Sequence, residues 1–199
     1  ENSFFNVNEK FPINNYFNDF DNNGKFESIT TKFLKDKNGV YKEYPAESRD
    51  EIIMQLPALK KKFPSFKSFG EATIDDLFSR AQLNASLKSH ANYFATSYIH
   101  NIGNGKFEIK PLPSIAQLAP VFNIVTGDFN KDGNADILLC GNDYGAEVSN
   151  GRLDAFNGLE LNGNGKGQFY PLPIEQSGIF IPGDASALVK LKNKKGEDL

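Results

Sequence analysis

The chain has 199 residues, of which 39% are hydrophobic and 24% charged, with a net charge of −3. That balance belongs to a globular protein able to build a sizeable core, not to a disordered chain. It offers no basic track for nucleic-acid phosphates, and no apolar run approaches the roughly 20 residues that a membrane helix needs. A single cysteine excludes an internal disulfide. Cys140 lies in an apolar run with no activating partner evident, so it reads as a small buried hydrophobe.

Glu1-Asn2-Ser3 begins neither with Met nor as a signal peptide, so the chain is expected to be processed or cut from a longer protein. The first informative stretch is Asp19-Phe20-Asp21-Asn22-Asn23-Gly24-Lys25-Phe26-Glu27. Positions one, three, five and nine carry side-chain oxygens, and the glycine at position six permits a sharp turn. Oxygen donors at alternate positions suit a hard cation that takes six to eight oxygen ligands, which points to Ca²⁺. Ser28-Ile29-Thr30-Thr31 follows and is β-branched, so the turn is expected to feed a strand, not an EF-hand helix. An ordinary Asp- and Asn-rich surface turn is the plainer alternative for one copy.

Between Leu34 and Ser89 the pattern changes to helix, and residues 46–89 read as a helical insertion of two or three short helices. Ser48 and Glu51 have capping-box spacing, Ile52, Ile53, Leu56, Leu59 and Phe63 form an apolar stripe, and Pro57 should split it. Thr73 offers a second N-cap, with Asp75 and Asp76 as first-turn acids and Leu77, Phe78, Ala81 and Leu87 behind them. Lys60-Lys61-Lys62 reads as a solvated face at a helix end, with a partner-binding patch as the alternative. His90 and His100 are expected to bracket a strand and to be structural.

Asn101–Pro113 and Leu161–Pro173 then align without a gap, sharing Gly, Asn, Gly, Lys, Pro, Leu and Pro at an offset of roughly 60 residues, as repeats of propeller blades would. The oxygen-rich turn recurs as Asp128, Asn130, Asp132, Asn134 (through its carbonyl) and Asp136, with Gly133 at the bend. The twelfth position is Leu139, inside an apolar run, where an EF-hand would have Glu. Strands are expected over Ala135–Gly141, Leu159–Asn162 and Gln168–Leu172, with approach strands at Val121–Thr126 and Gly178–Ile181. Asp184 echoes the first acid of the turn without the later ligands, so no metal is expected there. About two and a half units cannot close a ring that needs four or more blades. The polar loop from Gly141 to Ala155 places Asp143, Tyr144, Glu147, Arg152 and Asp154 together as a candidate ligand or partner site, with an internal arginine–carboxylate clamp as the structural alternative.

The two turns, with Glu51–Gly70, Tyr98–Phe107, Gly141-Asn142-Asp143-Tyr144-Gly145 and Pro182-Gly183-Asp184, resemble FG-GAP/VCBS repeats, and in particular bacterial relatives of the cartilage acidic protein (ASPIC/UnbV) family. The resemblance implies an all-β fold, a partial β-propeller over residues 1–199 with the helical insertion inside its first blade unit. It implies calcium held by Asp19, Asp21, Asn23, Lys25 and Glu27, and by Asp128, Asn130, Asp132, Asn134 and Asp136. Glu27 departs from the usual Asp at that position. A binding or assembly role at the cell surface or outer membrane follows, as an accessory lipoprotein with a protein or glycan partner and no catalytic residues. The different-class alternative is a lyase or hydrolase acting on polysaccharide from a propeller scaffold, drawing on the Asn142–Asp154 loop.

Overall fold

A computed structural model describes residues 5–146, 151–192 and 194. Among these residues the fold is mostly β, with three antiparallel sheets, none of them closed into a barrel. It divides into two compact units, an N-terminal one over Phe5–Tyr93 and a C-terminal one from Phe94 onward.

The N-terminal unit is built on strands β1 (Ile13–Asn18), β2 (Glu27–Lys35), β3 (Tyr41–Pro45) and β4 (Leu87–Ala91), in the order β3-β2-β1-β4. The β-branched run after the first turn forms β2, as expected, with Ile29 wholly buried opposite Tyr16. Helices α1 (Arg49–Gln55), α2 (Leu59–Lys62), α3 (Phe66–Gly70), α4 (Ile74–Leu77) and α5 (Arg80–Ala85) follow β3. Five short helices thus stand where two or three were expected. The extra breaks come from Ser65 and Ser79, whose hydroxyls cap new helix starts in boxes with Ser68 and Gln82. The foreseen caps form as well. Glu51 reaches back to the Ser48 N–H at 2.6 Å, and Asp76 accepts from the Thr73 N–H at 2.8 Å. Pro57 lies in the gap between α1 and α2.

The helices bury Ile52, Leu56, Phe63, Phe69, Ile74, Leu77 and Phe78 together with Tyr16 and Ile29 of the sheet. Ala81 and Leu87 are exposed, and Leu83 takes the inward place on α5. Beside this core the sheet face turns polar. The Glu43 carboxylate accepts from Asn14 at 2.6 Å, Thr31 at 2.5 Å and Tyr16 at 3.2 Å, and Asn14, Thr31 and Tyr16 are all buried.

In the C-terminal unit, β7 (Val121–Gly127), β8 (Asp136–Gly141), β9 (Leu159–Gly163) and β10 (Phe169–Leu172) pair in sequence order as a four-stranded meander. One face carries Ile137, Leu139, Leu159 and Leu161 onto Leu112, Ala116, Ala119 and Phe156. Strands β5 (Ser97–Gly103) and β6 (Lys106–Pro111) form a separate hairpin sheet of their own. Gly141 ends β8 so close to the next chain segment that a Cβ there would sit 1.8 Å from the Pro120 carbonyl oxygen.

Two expectations give way here. Residues 178–181 form no strand. Helix α6 (Ile174–Ser177) ends in left-handed Gly178, and Ile181 N–H makes a single backbone bond to the Asn157 carbonyl. The histidines do not bracket a strand. His90 lies within β4 opposite Asn14, and His100 lies within β5 opposite Glu108.

Candidate metal-binding turns

The two oxygen-rich turns follow one backbone path. Position four is left-handed in both, with φ 58° at Asn22 and 64° at Lys131, and so is the glycine at position six, with φ 84° at Gly24 and 87° at Gly133. A lysine in that region is uncommon, because its Cβ crowds the following carbonyl. The side-chain oxygens supply the compensation.

In the first turn, Asp19 accepts the Asn23 N–H at 2.9 Å on one carboxylate oxygen and the Gly24 N–H at 2.8 Å on the other. Asp128 does the same with Asp132 at 3.0 Å and Gly133 at 2.9 Å. Position three accepts from position five, Asp21 from Asn23 at 3.2 Å and Asn130 from Asp132 at 2.9 Å. Position five accepts from position seven, Asn23 from Lys25 and Asp132 from Asn134, both at 2.8 Å. The acid at position nine accepts the N–H of position two, Glu27 from Phe20 and Asp136 from Phe129, both at 2.9 Å. The extra methylene of Glu27 is thus absorbed without loss of this bond.

Positions three and five exchange chemistry between the turns. Asp21 pairs with the amide of Asn23 at 3.0 Å, whereas the amide of Asn130 pairs with Asp132 at 3.2 Å. The backbone N–H of Asn134, foremost, holds the Asp132 carboxyl below the usual range.

Each turn is anchored differently. Phe20 is buried with its ring stacked on Phe78 at 4.0 Å, and Gln82 of α5 donates to the Phe20 carbonyl at 2.8 Å. Asp136, fully buried at the start of β8, also accepts the Gly163 N–H at 2.9 Å from the end of β9. A Cβ on Gly163 would meet the Ala135 carbonyl at 2.0 Å, and one on Gly165 would meet the Asn134 side chain at 2.4 Å. The second turn is therefore seated against the β9–β10 hairpin. Burial, and next the charge of Asp136, push the Glu160 carboxyl on β9 above its usual range.

Asp19, Asp21 and Glu27 each place a carboxylate oxygen within 4.8 Å of the others. Among the described residues no second trio of metal-ligating side chains comes that close. The donor set in both turns is oxygen only, the chemistry of a hard cation, and three carboxylates stand in each. Backbone N–H bonds fix these oxygens in place.

Among the described residues of the polar loop after β8, Arg152 makes no ion pair with Asp143 or Asp154. The Arg152 guanidinium lies over the Tyr144 ring at 4.8 Å. Asp143 forms a two-bond bridge with Leu153, and its carboxylate accepts the Gly145 N–H at 2.8 Å. Asp154 is exposed, and Glu147 lies outside the described residues. The residue that holds this loop was not singled out from sequence. Asn142, buried with φ 88°, donates to the Phe156 carbonyl at 2.6 Å and the Gly183 carbonyl at 2.7 Å, and accepts the Phe156 N–H at 3.0 Å. Its signal is an Asn directly after a strand-ending glycine, a residue type that tolerates the left-handed region.

A scan against protein-family models, and searches of curated proteins and of solved structures, give no match.

Proposed function

We propose that this chain is a calcium-stabilised segment of a β-propeller of the FG-GAP/VCBS kind, working at the cell surface as a binding or assembly module. The observation that carries the reading is the shared hydrogen-bond pattern of the two turns, position for position, around all-oxygen donors. Two unrelated surface turns have no reason to spend a left-handed non-glycine residue at the same place. The sequential meander β7-β8-β9-β10 has the strand order of a propeller blade. Ile99, Phe107 and Ile109 on the β5–β6 hairpin are exposed in the way a face covered by an adjoining blade would be.

The metal's role in this reading is structural. A divalent ion offsets the repulsion among three carboxylates and fixes the direction in which β2 and β8 leave their turns. Calcium titrated into chelator-treated protein, followed by calorimetry, tests it. Two sites with Kd of about 10⁻⁴ to 10⁻³ M are expected, with Mg²⁺ weaker because it demands a stricter octahedral shell. Absence of heat and of any thermal shift at millimolar calcium would sink the proposal. An accessory role as an outer-membrane lipoprotein is tested separately, by protease accessibility of the tagged full-length gene product on intact cells.

A further inference from the structure

The face of the β7–β10 meander turned away from its core carries acceptors that nothing serves. Residues directly opposed on antiparallel strands point to the same side, so Leu138, Glu160 and Leu172 stand in a row across β8, β9 and β10. Asn162 stands beside Tyr170 in the next row. Cys140 lies at the other end of the same face and is covered there, its thiol donating to the Ala185 carbonyl at 3.3 Å. Toward Tyr170 the face opens. Leu138, Asn162 and Leu172 are half-buried, and Tyr170 is 55% exposed.

Glu160 is 8% exposed, yet its carboxylate makes neither a hydrogen bond nor an ion pair with any described residue. The side-chain oxygen of Asn162 is buried and also makes no hydrogen bond. Asp136 adds a second negative charge on this face, with its oxygens satisfied by the Phe129 and Gly163 N–H groups and by no cation. A buried carboxylate is costly unless it is paired, so the missing complement is a donor, and the two charges select a cationic one. The surroundings favour a guanidinium over an ammonium. Its planar fork can give two N–H groups to one carboxylate and a further one to a carbonyl oxygen nearby. The Tyr170 ring offers it a flat face, since it stacks on no described ring and its hydroxyl is tied to the Gln168 side-chain oxygen at 3.2 Å. Leu138 and Leu172 flank the position that the aliphatic stem would cross.

We propose that this face seats an arginine side chain presented by a partner polypeptide, with its guanidinium on Glu160 and Asn162. The inference rests on the reading of the chain as a binding module, but not on the metal. The test uses the whole chain with a capped Gly-Arg-Gly peptide as probe, beside its lysine and citrulline counterparts. The arginine peptide should bind with Kd of about 1 mM, the scale for one anchoring side chain, and move the Asn162 side-chain amide and the Leu138 and Leu172 methyl signals in NMR spectra. Lysine should bind about three- to tenfold more weakly, and citrulline, which keeps the shape without the charge, at least tenfold more weakly. Glu160→Gln should abolish binding and unfold at the same or a higher temperature, because it removes an unpaired buried charge. Tyr170→Ala should weaken binding about two- to fivefold, whereas Tyr170→Phe should retain it.

Failure of the arginine peptide to move those signals at 10 mM, about ten times the expected Kd, overturns the proposal, as does wild-type affinity in Glu160→Gln or in the citrulline peptide. A lower unfolding temperature in Glu160→Gln overturns it too, since it would mean that the carboxylate is already served within the chain. Self-association that Glu160→Gln breaks would give the seat to a second copy and not to a partner. A calcium titration of the same sample keeps the two ideas apart. Metal binding without arginine binding defeats only the seat, and arginine binding without metal defeats only the turns.

Discussion

Asp136 and Asp128 offer a contrast between an acid already tied into the sheet and one whose part, in the proposed reading, is chiefly to hold a metal. Asp136 is fully buried and accepts the N–H groups of Phe129 and Gly163 at 2.9 Å, with Asn130 at 3.4 Å. In Asp136→Asn one of the two occupied oxygens becomes an NH₂ that faces a backbone donor in either rotamer. Loss of a charge-assisted bond costs about 1.5–3 kcal/mol, and a buried donor left without an acceptor adds about 1–3 kcal/mol. Partial relaxation brings the sum to about 3–4 kcal/mol, in the absence of any metal. Asp128 is exposed, so water offsets part of what Asp128→Asn removes, and the loss of one of its two N–H bonds should cost about 0.5–1.5 kcal/mol. Urea unfolding of both variants in a chelating buffer, and again with calcium at about 100 times its Kd, provides the assay. Wild type should gain about 2.7 kcal/mol per occupied site. Asp128→Asn should lose most of that gain at the second turn, measured from its own stability in chelator. Equal stabilisation of wild type and Asp128→Asn by calcium refutes the ligand assignment. An Asp136→Asn variant as stable as wild type in chelator refutes the account of Asp136 as the acid that joins the turn to β9.

Three further outcomes are expected. Gly141→Ala should destabilise by about 2–3 kcal/mol in thermal unfolding, since the new methyl meets backbone, which cannot swing aside as a flexible side chain would. Glu43→Ala should cost about 2–4 kcal/mol by leaving the buried Asn14 amide without its acceptor and the Thr31 hydroxyl with only the Asn14 carbonyl at 3.4 Å, while Thr31→Val alone should cost about 1 kcal/mol. Glu51 and Asp76 are held below their usual range, in each case first by the hydroxyl of their cap, Ser48 or Thr73, and then by its backbone N–H. Their stabilisation is complete above the unfolded carboxylate values, near pH 4, and is lost as pH falls through the lower folded values. The combined Glu51→Gln and Asp76→Asn variant should therefore flatten the fall of the urea midpoint between pH 5 and about 2.5, an effect absent at pH 7 relative to its own baseline.

The turns were legible because their spacing is chemical. Oxygens at alternate positions and a glycine at the bend leave few backbone paths, and both turns take the same one. Ser48 with Glu51, Thr73 with Asp76, and Pro57 marked helix boundaries for reasons local to the chain, and local reasons survive folding. Elements defined by distant partners were not legible. Strand β4 is largely exposed, so no alternation announced its pairing with β1. Asn14, Thr31 and Glu43 carry no mark of burial in the sequence, since polarity alone cannot tell a solvated group from one satisfied inside. The likeness of Asn101–Pro113 to Leu161–Pro173 gave no sign that β5 and β6 would form a sheet by themselves. Arg152 carries its planar head over the Tyr144 ring, a contact that charge patterning in a sequence does not announce.

The reversed order of amide and carboxylate at Asp21–Asn23 and Asn130–Asp132 has a consequence for how such loops drift. What the backbone demands from the two places is one donor–acceptor couple, indifferent to which partner bears the formal charge. A double exchange, Asp21→Asn with Asn23→Asp, should leave the loop's shape intact where either single change leaves two amides or two carboxylates facing each other. Neighbouring sites can therefore trade their charge by compensated steps, and a search that demands one fixed letter at each place will overlook loops of the same build.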